Sequence, residues 1–281
     1  MQSQIWRRPL AFSAAILLST ALGQMTITPS LALAEPTAAT RSFPKVFAHR
    51  GGRKWAPENT LSAFKKSLAI HADGIELDIH RCKSGELVVI HDESVDRTTD
   101  GTGLVKDLTL AELRKLDAGS KYNPQFAAEK IPLLSEVLSL VDGKAIINIE
   151  IKNTPISYPG IEDELIGMLE NYKYPEKIMI SSFDHQVLQA VGHKAPRYKL
   201  GLLDSAIIAD LPGYAKTVGA KSWNPDVECA RADAIKNAHE HGIEVHPWTV
   251  NDKNNWQRLT SAGVDAIITD DPEGLMRFEN R

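Results

Sequence analysis

A closed (β/α)8 barrel, an α/β fold, is predicted by three observations. Eight short apolar runs, at 46–48, 74–79, 145–151, 178–183, 200–203, 221–223, 244–250 and 266–269, alternate with helix-length stretches, the pattern of parallel strands joined by right-handed crossovers. The chain has 281 residues, 43% of them hydrophobic, enough for one large core of this kind. The first run opens into His49-Arg50-Gly51-Gly52 and lacks the G-x-G-x-x-G turn that would favour an open doubly wound sheet.

Ahead of the first strand, Arg7 and Arg8 precede an apolar stretch over 10–22, and Leu31-Ala32-Leu33-Ala34 then supplies small residues before Glu35. This is the layout of a cleaved secretory signal, so residues 1–34 are read as a leader and 35–281 as a single domain, periplasmic or secreted. The apolar stretch is shorter than the ~20 residues that span a bilayer, and no stable membrane span is expected once it is removed. Lys and Arg number 32 against 36 for Asp and Glu, a net charge of −4 with no long block of one sign, so no nucleic-acid partner is expected. Cys82 and Cys229 have no second Cys or His at finger spacing, which excludes a structural zinc module; export would leave them free or paired.

After the first strand, Leu61, Phe64, Leu68 and Ala69 share one face of a helix over 61–70, which Glu58 and Asn59 are expected to introduce and cap. The second strand splits by period two: Ile75, Leu77 and Ile79 face helices, while Glu76, Asp78 and His80 face the barrel interior. A turn at Ser84-Gly85 makes an antiparallel hairpin with 86–91, and a two-residue turn there sets His91 opposite Asp78. Residues 92–132 form an insertion on the side where barrels hold their chemistry. Helices follow over 133–140 and 163–169, flanking a strand that repeats the split: Ile147, Ile149 and Ile151 outward, Asn148, Glu150 and Lys152 inward.

Buried carboxylates are costly unless they are paired or ligated. Glu76, Asp78 and Glu150 brought to one cavity form an all-oxygen set suited to Mg²⁺ or Ca²⁺, or else a structural network neutralised by Arg50, Arg81 and Lys152. His49, at the end of the first strand, and His91 converge on the same acids, which favours phosphoryl chemistry with the histidines exchanging protons. His80 and His246 are placed inward without a chemical role, and His71, His185, His193, His239 and His241 do not converge on these acids.

His49-Arg50-Gly51, Pro57-Glu58-Asn59-Thr60, Glu76-Leu77-Asp78, His91-Asp92, Glu150-Ile151-Lys152, Ser181-Ser182-Phe183, Trp248-Thr249-Val250-Asn251 and Thr269-Asp270-Asp271-Pro272 together resemble the glycerophosphodiester phosphodiesterase family, from Val46 to about Pro272. The resemblance implies a TIM barrel with a small insertion after the second strand, and hydrolysis of a small-molecule phosphodiester to sn-glycerol 3-phosphate and an alcohol. It implies a divalent metal, Ca²⁺ or Mg²⁺, on Glu76, Asp78 and Glu150, an acid–base pair in His49 and His91, and substrate contacts from Arg50, Lys152, Phe183 and Trp248. Pro132-Leu133-Leu134 departs from the family's usual Pro-Thr-Leu at the exit of the insertion. A lysophospholipase-D-like specificity, or a noncatalytic exported phosphodiester-binding protein, are the alternative readings.

Overall fold

The computed structural model describes residues 43–281. The leader expected at residues 1–34 lies outside the described residues. Strand β1 (Lys45–Ala48) ends in a run of left-handed backbone, Arg50 (φ 50°), Gly51 (φ 81°) and Gly52 (φ 90°), which turns the chain sharply at the barrel mouth. A Cβ on Gly51 would lie 2.7 Å from that of Ala63, so this approach to the next helix requires glycine. Thr60 caps helix α1 (Leu61–Ala69) by accepting from Ala63 N, and thus makes the cap expected of Glu58 and Asn59.

Strand β2 (Gly74–Arg81) pairs in parallel with β1 and antiparallel with β3 (Leu87–Val89). The hairpin register differs by one residue from the one expected. Lys83, Ser84 and Gly85 form a three-residue loop closed by Cys82 N donating to Glu86 O, and Gly85 takes φ 103°, the geometry of a bulged turn. Ile79 therefore pairs with Val89 and His80 with Val88, and Asp78 receives the amide of Ile90 in place of facing His91. The ladder ends at Val89, so His91 reaches the mouth from the connection that follows.

That connection contains α2 (Leu110–Leu113) and packs Val95, Val105, Leu113, Ala118 and Ile131 on Cys82, Val88 and Ile90, a small core of its own. The alternation then resumes: α3 (Leu134–Val141), β4 (Ile146–Ile151), α4 (Ile161–Leu169), β5 (Ile178–Ser182), α5 (His185–Lys194), β6 (Lys199–Asp204), α6 (Leu211–Val218), β7 (Ser222–Pro225), α7 (Ala232–Glu240), β8 (Glu244–Val245), α8 (Lys253–Ala262), β9 (Ala266–Thr269) and α9 (Pro272–Phe278). Strand order runs β8-β7-β6-β5-β4-β2-β1-β9, all parallel, with β3 outside the ring. The strand expected over 244–250 forms a regular ladder only over Glu244–Val245; beyond it His246 N and Trp248 N still donate to Trp223 O (2.9 Å) and Pro225 O (3.0 Å), while Pro247, on the side facing β9, has no N–H to donate. Single bonds from Asp265 N to Val245 O (3.1 Å), Ile268 N to Pro247 O (3.0 Å) and Val250 N to Ile268 O (3.0 Å) close the gap between β8 and β9.

The main core lies between strands and helices, where Ile75, Leu77, Ile79, Ile147, Ile149 and Ile151 meet residues such as Leu134, Val137, Ile161 and Leu165. Burying a side chain of this size is worth about 1.5–3 kcal/mol, so the outward faces of β2 and β4 supply stability while their inward faces are left for chemistry. Cys82 and Cys229 are both free, the former in the core under the insertion. Among the described residues, no helix is long and apolar enough to cross a membrane.

Candidate active site

One cavity at the mouth is lined by His49, Arg50, Glu76, His91, Glu150, Lys152, Phe183 and Trp248, with Asn148, Ser181, Leu203 and Ile268. Asp78 completes the set beneath it. The register of β2 against β4 places Asp78 beside Glu150 and Glu76 beside Asn148, so like charges share one face of adjacent strands. A ligand oxygen from each of Glu76, Asp78 and Glu150 lies within 4.8 Å of the others.

Three carboxylates this close are poorly compensated. Burial, and then the charges of Asp78 and Glu150, push Glu76 well above the ordinary carboxylate range. Burial raises Glu150 to about 7, against the pull of Lys152, whose Nζ donates to Glu150 Oε1 at 2.7 Å. Burial acts on Asp78 in the same sense, but Arg50 and Lys152 outweigh it and hold this carboxyl below the usual range. Asp78 Oδ1 is nevertheless buried without a hydrogen-bond partner, although Asn59 Nδ2 donates to Oδ2 at 2.8 Å. A compact all-oxygen triad with repelling charges and an orphaned oxygen fits a hard divalent cation.

Each histidine is fixed from behind by an aspartate. His49 Nδ1 donates to Asp270 Oδ1 at 2.6 Å, leaving Nε2 at 4.0 Å from Glu76 Oε2. His91 Nδ1 donates to Asp92 Oδ1 at 2.6 Å, and its Nε2 accepts from Lys152 Nζ at 3.2 Å. Burial, assisted by the nearby cations, lowers both imidazoles from their usual value. The Arg50 amide donates to Glu76 Oε2 at 2.9 Å, and its guanidinium pairs with Glu58 at 2.8 Å and Asp78 at 3.5 Å.

The charged groups come from β1, β2 and β4 and the segment after β3, while the opposite arc is apolar. Phe183 follows β5, Leu203 lies in β6, and Trp248 follows β8, anchored by its Nε1 donating to Asn224 O at 2.8 Å. Phe183 and Trp248 meet edge to face with centroids 5.4 Å apart.

Residues 49–274 match the sequence profile described as the Glycerophosphoryl diester phosphodiesterase family. The chain belongs to this family. It is 47% identical over 234 residues to a glycerophosphodiester phosphodiesterase of Caldanaerobacter subterraneus subsp. tengcongensis, covering 83% of this chain and 96% of the relative. It is 39% identical to one from Bacillus altitudinis, over 83% of this chain and 97% of that protein. Its fold is similar to that of an Oleispira antarctica phosphodiesterase solved in complex with the product sn-glycerol-3-phosphate, with a TM-score of 0.79, 27% identity and coverage of 85% of this chain and 98% of the other. As in other enzymes of this barrel type, the site sits at the C-terminal ends of the strands.

All nine site residues read from the family motifs converge here, but several of their partners were not read from the sequence. Asp270 is 221 positions from His49, and only barrel closure joins them, through the pairing of Ala48 with Thr269. Asp92 was next to His91 in plain sight. His80 is turned away from the chemistry, held between the Tyr158 hydroxyl (2.9 Å) and His91 O (3.0 Å).

Proposed function

We propose that this site hydrolyses a glycerophosphodiester to sn-glycerol 3-phosphate and an alcohol, with Ca²⁺ or Mg²⁺ held by Glu76, Asp78 and Glu150 and with His49 and His91 as the acid–base pair. The observation that carries it is the pair of Asp-anchored imidazoles beside an undercompensated carboxylate triad. When bound, the cation would supply positive charge to the phosphate oxygens. Arg50 and Lys152 supply further positive charge from the protein and hold the phosphate, while Phe183 and Trp248 form the apolar wall along which the organic groups lie. One Nε2 takes the proton of the attacking hydroxyl, from water or the glycerol 2-hydroxyl, and the other imidazole, entering protonated at Nε2, gives its proton to the departing alkoxide. Where the 2-hydroxyl attacks, water then opens the cyclic phosphate it forms, with the two histidines exchanging roles. Asp270 and Asp92 stabilise the protonated form of the imidazole each one anchors.

The test is release of glycerol 3-phosphate from glycerophosphocholine with EDTA and after adding back Ca²⁺ or Mg²⁺. Turnover lost to EDTA and restored by one cation is expected, and His49→Ala or His91→Ala should lower kcat by about 10²–10⁴-fold. Wild-type turnover in either variant would remove the acid–base assignment.

A second reading, preference for diesters of long apolar alcohols such as lysophospholipids, is favoured by Phe183 (37% exposed), Ile207 (64%) and Tyr214 (39%) on the segments that follow β5 and β6. A higher kcat/KM for lysolipids than for deacylated diesters would select it. We also infer from Arg7, Arg8 and the Ala32/Ala34 pair that residues 1–34 are removed and the single domain 35–281 acts in the periplasm or outside the cell. N-terminal sequencing of the exported protein checks this, with Glu35 as the expected first residue.

A further inference from the structure

Arg97 lies in the segment between β3 and α3 and does not line the cavity, yet it meets the partners of two groups that do. Its NH1 and NH2 donate to Oε2 and Oε1 of Glu58, both at 2.8 Å. Its Nε and NH2 donate to Oδ2 and Oδ1 of Asp92 at 2.6 and 2.9 Å. One planar guanidinium therefore forks to two carboxylates, a geometry that an ammonium group cannot reproduce. Beyond Asp92 is His91, whose Nδ1–H the same Oδ1 accepts; beyond Glu58 is Arg50, whose NH1 donates to the same Oε1. Glu58 also has Arg53 at 3.5 Å, and Arg53 lies 3.7 Å from Asp270 behind His49, so the bridge continues towards the second imidazole.

We propose that Arg97 is a positioning residue for the hydrolysis, aligning His91 through Asp92 and Arg50 through Glu58. The segment after β3 thereby sets the spacing between a proton-transfer group and a phosphate-binding group that the barrel strands alone leave free. This rests on the roles given above to His91 and Arg50. Displacement of either group by about 1 Å is enough to cost up to about 10²-fold in rate, although Arg97 itself touches no reacting atom.

A cavity of about 130 Å³ borders Arg97, lined in part by Glu58, Thr98, Lys121 and Tyr122, so a free guanidinium ion has access to the space that truncation would open. The experiment compares Arg97→Ala, Arg97→Lys, Asp92→Asn and the double variant Arg97→Ala/Asp92→Asn with the unsubstituted protein, reading kcat, KM and thermal midpoint. Arg97→Ala should lower kcat by about 10–100-fold and raise KM severalfold, with partial recovery of kcat in added guanidinium. Arg97→Lys should lose nearly as much, because charge without the fork cannot span both carboxylates. The double variant should lose less than the product of the two single losses, because the Asp92 branch is shared and only the Glu58 branch adds to Asp92→Asn. Kinetics within twofold of the unsubstituted protein in Arg97→Ala overturns the inference. So does full activity in Arg97→Lys, multiplicative losses in the double variant, or a loss that tracks only the unfolded fraction and is unmoved by guanidinium. Absence of turnover in the unsubstituted protein fails the underlying reading and this inference with it; normal turnover there and in Arg97→Ala fails the inference alone.

Discussion

At the base of the barrel, Glu244 accepts from Lys199 at 2.6 Å and from His246 at 3.0 Å, and these donors, against the opposing effect of burial, bring it down to about 2. At the mouth, Glu150 has one donor, Lys152, and burial carries it up to about 7. The same contrast holds for their neighbours. Asp73 accepts from Val46 N and pairs with Arg281, and Asp265 accepts from Val245 N and His239, whereas Glu76 is crowded by two further acids. Carboxylates at one end close the protein's own hydrogen bonds; the triad of Glu76, Asp78 and Glu150 at the other is held together at a cost in stability, which is the usual mark of a site built for a ligand.

The largest expected effect breaks this contrast directly. Glu76→Gln or Glu150→Gln should lower kcat by about 10³-fold or more, since the cation proposed for them would contribute several kcal/mol at the reacting phosphate. The same variants in the absence of divalent metal should melt no lower than the unsubstituted protein, because one repelling charge is gone. At Glu244 the neutral substitution should do the reverse, with unchanged kcat and a melting point lower by about 2–4 °C for a loss near 1 kcal/mol. Melting curves in which Glu150→Gln falls as far as Glu244→Gln would mean that both ends are structural.

Next in size is Asp270→Asn, which removes the charge behind His49 and allows the wrong tautomer. A kcat about 10²-fold lower, with KM little changed, is expected from steady-state kinetics. A change in KM alone would make Asp270 a substrate contact.

The smallest effect concerns the base's own exception. Glu279 keeps one buried oxygen without a partner, and burial raises it from 4.5 to about 7 despite the Arg281 contact. A carboxyl whose folded value is the higher binds more protons when folded, so its contribution is fully present below pH 4.5 and is lost as the pH rises through about 7. Melting points taken from pH 4 to 8 should show that decline in the unsubstituted protein and a flatter curve in Glu279→Gln; parallel curves would remove Glu279 as its source.

The chemistry of β2 and β4 was legible because period-two alternation put acids on the face where a core should be apolar, and no helix could have done so. The hairpin was less so. A three-residue loop and a two-residue loop differ by the conformation of Gly85, which the letters do not reveal, and the slip moved Asp78 from His91 to Ile90 while the bend after Val89 still delivered the imidazole to the site. Asp270 could have been found by noting that the first and last strands of a closed ring are neighbours. Arg97 could not, since nothing local says that one side chain in a polar loop will span two carboxylates from different segments.

The division of the mouth into two arcs has a consequence for substrate choice. The charged arc draws on β1, β2, β4 and the segment after β3, whose side chains bond to one another, so a change in any of them is felt by the rest. The apolar arc rests on Phe183, Leu203 and Trp248, which come from the ends of three separate strands. Under the function proposed above, a change at those strand ends alters which alcohol the mouth accepts and leaves the groups proposed to move protons in place.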